Sequence, residues 1–252
     1  MKRFEGKVVI VTGGASGQGE AACRLFAAEG ASVVVADWNA DGATRLADEI
    51  GGVALRVDVS REDDVVAMIA LAETRFGRLD VLFNNAGVGH SESARFKMAS
   101  IVETPGEDWD NILAINLKGC AMGCKHAIPL MVRGGGGAIV NNASIMGIAG
   151  VPGADAYSAA KGGMISLTRV LAVEWIDKGV RVNCICPGPV ATGMTAPMME
   201  TEEGRREVIG LSPAGRVATS DEVAKVAVFL ASDDASFVNG VILPVDGGWA
   251  AR

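Results

Sequence analysis

The sequence predicts a single α/β domain, a doubly wound parallel sheet of about seven strands with helices on both faces. Three observations predict this class. Short runs rich in β-branched residues alternate with longer stretches of helical period. Several short runs are apolar at every position, as strands covered on both faces are. The 252 residues show no change of composition that would mark a boundary, so residues 1–252 are predicted to form one domain.

Seven runs predict strands and six stretches between them predict helices. The strands are predicted at 7–11, 32–36, 53–57, 80–84, 138–142, 180–186 and 240–245. The helices are predicted at 18–29, 41–50, 61–76, 107–132, 155–178 and 220–232. Because strand–helix–strand units cross over with one hand, this alternation indicates a parallel sheet. The four glycines 134–137 are interpreted as a tight connection from a helix to a strand.

Two longer segments interrupt the alternation, at 88–106 and 190–219. Long connections at the carboxyl ends of sheet strands commonly shape a binding site. The second segment carries Met194, Met198 and Met199, whose side chains are apolar and adaptable. We therefore predict a substrate lid around 190–219.

Charge and hydropathy exclude several kinds of partner. The formal net charge is −7, and no run of lysines and arginines occurs. Nucleic acids and anionic membranes are therefore excluded as partners. No window approaches the ~18 uncharged apolar residues of a membrane span, and the apolar run at 8–11 is too short for a signal peptide. We predict a soluble, cytoplasmic protein.

The five cysteines form no regular disulfide framework. Cys120 and Cys124 lie one helical turn apart, and Cys184 and Cys186 share one face of a strand, but neither spacing matches a zinc site. With only two histidines in the chain, we interpret the cysteines as small buried side chains and predict no metal site.

A glycine-rich turn follows the first predicted strand and leads directly into a helix. Glycine lets the backbone approach a diphosphate closely, and the helix that follows offers free N–H groups and the positive end of its dipole. The residues predicted to hold the phosphates of a dinucleotide are Gly13, Ser16, Gly17, Gln18 and Gly19.

The second strand ends at Asp37, 18 residues past Gly19. A carboxylate there is placed to accept hydrogen bonds from the adenosine ribose and to repel a 2′-phosphate. Neither Trp38, which follows it, nor the glycine-rich turn supplies the cation that NADP would need. We predict NAD as the cofactor, with Asp37 and Trp38 beside its ribose.

Tyr157 and Lys161 lie four residues apart in a helical stretch, so the two side chains share one face. A lysine ammonium nearby favours the phenolate form of tyrosine, which then takes a proton from an alcohol or returns one to a ketone. Ser144, 13 residues before Tyr157, is placed to hydrogen-bond the substrate oxygen. These three residues are predicted to be catalytic.

Three motifs together resemble the short-chain dehydrogenase/reductase family from Gly6 to Gly248: the Gly-x-x-x-Gly-x-Gly turn, Asn84-Asn85-Ala86-Gly87 and Tyr157-x-x-x-Lys161. The resemblance implies a Rossmann-type fold and a supporting catalytic role for Asn116. Gln18 departs from the family pattern, in which an aliphatic residue is more usual. The further cofactor contacts that the resemblance implies are Asp58, Val59, Asn85, Ala86, Gly87, Tyr157, Lys161, Pro187, Gly188, Val190 and Thr192.

The resulting hypothesis is an NAD-dependent dehydrogenase or reductase acting on a secondary alcohol or ketone. The resemblance places Ile145, Met146, Ile148 and the methionines of 190–200 in the substrate pocket, which indicates an apolar substrate. A 3-oxoacyl-(acyl-carrier-protein) reductase, a lyase or epimerase with the same tyrosine, and a non-catalytic NAD-sensing regulator remain alternatives.

The resemblance also implies a homotetramer. Two long predicted helices, 107–132 and 155–178, carry apolar residues such as Ala127, Met164 and Val170, which we expect a symmetry mate to cover.

Overall fold

The structure, a computed structural model, describes residues 2–89 and 99–252 and is built around one seven-stranded sheet. Its strands are β1 (Val8–Thr12), β2 (Ser32–Asp37), β3 (Val53–Arg56), β4 (Val81–Asn84), β5 (Gly137–Asn142), β6 (Val180–Pro187) and β7 (Ile242–Val245). They lie in the order β3-β2-β1-β4-β5-β6-β7, and every neighbouring pair is parallel. The predicted doubly wound parallel sheet is confirmed.

Helices cover both faces of this sheet. They are α1 (Gly17–Ala28), α2 (Ala40–Ile50), α3 (Glu62–Phe76), α4 (Gly106–Leu113), α5 (Gly119–Arg133), α6 (Asp155–Trp175), α7 (Glu202–Gly210) and α8 (Ser220–Ala231). Alternate residues of β1 point to opposite faces: Ile10 packs with α3, α5 and α6, whereas Val9 and Val11 pack with α1, α2 and α8. The chain therefore buries one apolar layer on each side of the sheet.

The helix predicted at 107–132 is not uniform. It runs as α4, then a π-helical stretch at Ala114–Lys118, then α5. Within that stretch Asn116 donates hydrogen bonds to the carbonyl oxygens of Ile112 at 3.1 Å and Val88 at 3.0 Å. The wider turn carries this buried asparagine towards the loop that follows β4.

The segment 190–219 contains a helix that the sequence did not predict. Helix α7 begins after Thr201, whose hydroxyl accepts a hydrogen bond from the Gly204 N–H at 3.0 Å. A parallel bridge between Val190 and Ala218 joins the two ends of the segment. Of the other long segment, 88–106, residues 90–98 lie outside the described part of the chain.

Several smaller predictions can be compared with the structure. The connection from α5 to β5 is tight, since a Cβ on Gly136 would lie 2.6 Å from the Gly179 carbonyl oxygen. All five cysteines are buried and free. Ala127 and Met164, expected on an assembly face, instead lie in the core, because they point towards the sheet. Among the described helices, none combines the length and the hydropathy that crossing a membrane requires.

Candidate active site

A cavity of about 550 Å³ opens at the carboxyl ends of the strands. It lies over β1 and β4, neighbours in the sheet whose crossover connections run in opposite directions. Loops that diverge at such a point leave a crevice, which is where open α/β sheets bind ligands. The loops after β1, β2, β3, β4, β5 and β6 all contribute to its wall.

The glycine-rich turn forms one wall of the cavity. Gly13 and Gly17 have φ values of +63° and +53°, which residues with a side chain rarely adopt. A Cβ on Gly13 would lie 2.9 Å from the Ala86 Cα. Ser16 caps α1 without a side-chain hydrogen bond, so the first N–H groups of the helix have no partner within it. This cradle suits a diphosphate.

Gly19 has a different place from the one predicted. Gly13, Ser16, Gly17 and Gln18 line the cavity, whereas Gly19 is buried behind the turn. A Cβ at Gly19 would lie 2.0 Å from the Gly13 carbonyl oxygen. Gly19 therefore allows α1 to pack against the turn and does not face the cavity.

Asp37 stands at the end of β2, where the carboxylate is 6% exposed. Its two oxygens accept hydrogen bonds from the backbone N–H groups of Ala15 and Asn39, each at 2.9 Å. Because a carboxylate has about four acceptor positions, two remain for ribose hydroxyls. Trp38, 64% exposed, lines the cavity beside it.

The loops after β3 and β4 form the next stretch of wall, with Asp58, Val59, Asn85, Ala86 and Gly87. Asn85 fastens this wall to the glycine-rich turn. Its Nδ2 donates to the carbonyl oxygens of Thr12 at 3.0 Å and Gly13 at 3.1 Å. The backbone of the turn and the end of β4 are thereby held in a fixed relation.

Tyr157 and Lys161 lie one turn apart in α6, and both face the cavity. The Lys161 Nζ is 5.6 Å from the centre of the Tyr157 ring. Lys161 is only 3% exposed, and its Nζ donates to the Asn142 carbonyl oxygen at 2.7 Å. The predicted pair of phenol and ammonium is therefore brought together.

Ser144 caps a short 3₁₀ turn, Ile145–Gly147, and lines the cavity. Its Oγ accepts a hydrogen bond from the Met146 N–H at 3.2 Å. Since a hydroxyl has one donor as well as acceptor positions, its proton stays available to a substrate oxygen.

Asn116 lies behind the cavity wall and not on it. It is fully buried, and its Oδ1 accepts a hydrogen bond from the Val88 N–H at 3.1 Å. Gly87 separates it from the lysine, because a Cβ there would lie 2.7 Å from Asn116 Oδ1 and 3.5 Å from Lys161 Nζ. Asn116 therefore shapes the turn after β4.

The loop after β6 closes over the glycine-rich turn. Four of its residues line the cavity, namely Pro187, Gly188, Val190 and Thr192. A Cβ on Gly17 would lie 3.3 Å from Thr192 Cγ2, so the two loops are almost in contact.

Apolar residues after β5 and β6 were predicted to line the substrate part of the cavity. Of the residues predicted there, Ile145, Met146, Met194 and Met198 line it. Ile148, which is 47% exposed, and Met199 do not line it. Val208 in α7, Leu211 and Trp249 also line the cavity and were not among the lining residues named from the sequence.

Asn142 is another lining residue that the sequence reasoning missed. It was counted as part of a buried strand. The signal that could have identified it is its position, since it is a polar residue where a parallel strand ends.

Two of the thiols behind the site, those of Cys120 and Cys186, have pKa values raised above the ordinary range. A hydrogen bond with Cys124, together with burial, raises the pKa of Cys120. A hydrogen bond with Cys184, again with burial, raises the pKa of Cys186. The thiolate is the nucleophilic form, so neither is a nucleophile.

Comparisons with known proteins agree with this geometry. A family model described as enoyl-(acyl carrier protein) reductase matches residues 13–250. Meso-2,3-butanediol dehydrogenase of Serratia marcescens is 42% identical over 253 residues, covering 99% of this chain and 96% of that protein. The crystal structure of levodione reductase superposes with a TM-score of 0.92 at 35% identity, covering 99% of this chain and 100% of that one.

An uncharacterized short-chain type dehydrogenase/reductase of Sinorhizobium fredii is 44% identical over 252 residues. The match covers 97% of this chain but only 44% of that longer protein. Because the family model covers nearly the whole sequence and the predicted motifs meet in one cleft, the chain belongs to the short-chain dehydrogenase/reductase family, oxidoreductases that use a nicotinamide cofactor.

Proposed function

We propose that the protein transfers a hydride between NAD(H) and a secondary alcohol or ketone, with Tyr157 as general acid/base. The observation that carries the proposal is convergence. Ser144, Tyr157 and Lys161 line the same cavity as the glycine-rich turn and Asp37. A dinucleotide lying from Asp37 to Lys161 would bring its nicotinamide to the reacting groups.

The proton is moved by this chain's own residues. In the oxidative direction the Tyr157 oxygen takes the proton of the alcohol, and the Lys161 ammonium stabilises the phenolate that accepts it. Ser144 donates its hydroxyl proton to the substrate oxygen, which becomes alkoxide-like in the transition state. Bound NAD supplies the hydride acceptor. In reverse, the phenol returns the proton to the ketone oxygen.

NAD is preferred over NADP in this proposal. The Asp37 carboxylate is fixed in the wall where the adenosine ribose would lie. Among the cavity-lining residues that the structure describes, Lys161 is the only cation, and it stands at the other end. A 2′-phosphate would therefore meet a carboxylate and no positive charge.

The substrate is proposed to be small and apolar around its reacting oxygen. The cavity has apolar, adaptable side chains in its wall, among them Ile145, Met146, Met198, Leu211 and Trp249. The description of the matching family model favours a second candidate, reduction of a thioester on an acyl carrier protein. Such reductases usually employ NADPH, and the Asp37 carboxylate, fixed where the adenosine ribose would lie, argues against that cofactor.

The presence of both Tyr157 and Lys161 argues against a non-catalytic NAD-sensing regulator, because such a protein would not need an acid/base pair. A lyase or epimerase would regenerate its NAD, so sustained build-up of NADH separates a dehydrogenase from it.

We further propose a homotetramer. Helix α6 exposes Val170 (60%) and Val173 (81%), followed by Ile176 (44%), an apolar strip that a symmetry mate would cover.

The test is a panel of secondary alcohols and ketones with NAD(H), followed by absorbance of NADH. We expect turnover with at least one apolar alcohol and a loss of about 10²- to 10⁴-fold in Tyr157→Phe, with NAD affinity retained. Ser166→Ala, an exposed position on the same helix, is the control. Near-normal turnover of Tyr157→Phe would show that another group carries the proton.

A further inference from the structure

Three side-chain amides form a chain of hydrogen bonds along the cavity. They belong to Gln18 at the start of α1, Asn85 after β4 and Asn142 at the end of β5. All three line the cavity. An amide has a donor end and an acceptor end, so the direction of each link determines which end the next residue presents.

The direction of the chain is fixed from Asn85 outwards. Both N–H bonds of Asn85 Nδ2 are used by the carbonyl oxygens of Thr12 and Gly13. Its Oδ1 must therefore accept, and it accepts from Asn142 Nδ2 at 2.9 Å. The second N–H of Asn142 goes to Gln18 Oε1 at 2.8 Å. Gln18 is thus required to turn its oxygen towards Asn142.

The Gln18 amide nitrogen is left as a donor. It has no hydrogen-bond partner within residues 2–89 and 99–252, although its oxygen is held. Because the side chain lines the cavity, the constraint on its oxygen leaves its two N–H bonds for a ligand.

The contact with Asn142 also indicates which half of the cavity the Gln18 amide faces. In the sheet, β5 lies two positions from β1, on the side opposite to β2 and its Asp37. Asn142 is also the residue whose carbonyl oxygen holds Lys161 Nζ. Gln18 therefore reaches towards the reacting half, away from the ribose pocket at Asp37.

We propose that Gln18 binds the nicotinamide half of the dinucleotide, donating its amide N–H to a phosphate, ribose or carboxamide oxygen of that half. Asn142 acts as a positioning residue, because it keeps the Gln18 nitrogen turned to the ligand. The inference rests on the proposed function, since it presupposes that a dinucleotide occupies the cavity.

The test measures the affinity of native protein and of Gln18→Leu for AMP, ADP, ADP-ribose and NAD by calorimetry. We expect Gln18→Leu to weaken NAD binding about three- to tenfold, the effect of one hydrogen bond, and to leave AMP unchanged. The first ligand of the series that shows the loss identifies the acceptor: ADP for the second phosphate, ADP-ribose for the ribose, NAD alone for the carboxamide. Gln18→Glu, which keeps the length but cannot donate, should lose at least as much.

Glu20→Gln on the same helix is the matched control, because Glu20 does not line the cavity. Unchanged NAD affinity in Gln18→Leu, or an equal loss for AMP, would overturn the inference. Native protein that binds no dinucleotide would instead overturn the proposed function.

The positioning role of Asn142 is tested by Asn142→Asp, which has the same shape but no N–H to donate. In that variant the Gln18 nitrogen turns to the carboxylate, so NAD binding should fall by a similar factor. Adding Gln18→Leu should then cost less than twofold more, with thermal melting as a check on folding. Full additivity of the two losses would show that Asn142 does not orient Gln18. Should Asn142→Asp fail to fold, Asn142→Ser removes the same donor for the same comparison.

Discussion

Replacement of Asp37 tests the preference for NAD most directly. Its carboxylate is 6% exposed and held by two backbone N–H groups, so it cannot swing away from an incoming 2′-phosphate. We expect native protein to use NAD in preference to NADP. The combination of Asp37→Ala with Trp38→Arg should erode or reverse this preference.

The size of the effect follows from charge and distance. Two unit charges 4 Å apart repel by about 1 kcal/mol in bulk water and about 4 kcal/mol at an effective dielectric constant of 20. Asp37 lies between these limits, since it is buried itself but faces an open cavity. An intermediate value of about 2 to 3 kcal/mol corresponds to about 30- to 150-fold in kcat/KM.

The substitution also has a cost for NAD itself. Asp37→Ala leaves the Ala15 and Asn39 N–H groups without their acceptor and loosens the turn that they hold. We expect NAD to lose about tenfold in kcat/KM for this reason. Trp38→Arg alone is a mild change because Trp38 is 64% exposed, so it is the matched control for the added cation.

The assay is kcat/KM for both cofactors in native protein, the two single variants and the double variant. The ratio of NAD to NADP should fall in Asp37→Ala and reach one or less in the double variant. A native preference for NADP, or an unchanged ratio in Asp37→Ala, would refute the reasoning.

Two further predictions concern stability and assembly. Hydrogen bonds from Arg216 and from the Thr219 N–H lower the pKa of Glu222 from 4.5 to about 2. The ionised Glu222 carboxylate therefore stabilises the fold above about pH 4.5, and this stabilisation is lost as pH falls towards 2. The Tm difference between native protein and Glu222→Gln should shrink over that range. A constant difference would contradict this assignment. Val173→Glu should dissociate the proposed tetramer, as measured by light scattering. Ser166→Ala, a small change at an exposed position of the same helix, should not. A native monomer at micromolar concentration would rule the assembly out.

The parts of the site that the sequence predicted are local ones. The turn between β1 and α1 and the pair Tyr157 and Lys161 each occupy a few consecutive residues, so spacing alone places their side chains together. Asp37 followed from its place at the end of the second strand, 18 residues past Gly19, and Asn85 followed from the family resemblance. Helix α7 was not predicted because it is short and largely polar, with only Val208 buried. The π-helical stretch around Asn116 changes a single hydrogen-bond register, which the apolar period does not reveal.

The amide chain could not be predicted because its partners are distant in the sequence, 124 residues separating Gln18 from Asn142. Gln18 was identified as a departure from the family pattern, but a departure alone does not say what the new side chain contacts. The direction of its hydrogen bond depends on Asn85, which in turn depends on the backbone of the glycine-rich turn. These hydrogen bonds form only after β1, β4, β5 and α1 have come together in the folded protein.

Lys161 illustrates how the same edge of the sheet prepares the site for a ligand. The direct hydrogen-bond contact of this lysine is the Asn142 carbonyl oxygen, at 2.7 Å. An ammonium has three N–H bonds, and that oxygen is the one acceptor it has within the described residues. A cation that is 97% buried gains free energy from every further oxygen that reaches it. The phenolate of Tyr157 and a ribose hydroxyl of the proposed cofactor are such oxygens, so cofactor binding and activation of the tyrosine are expected to strengthen each other.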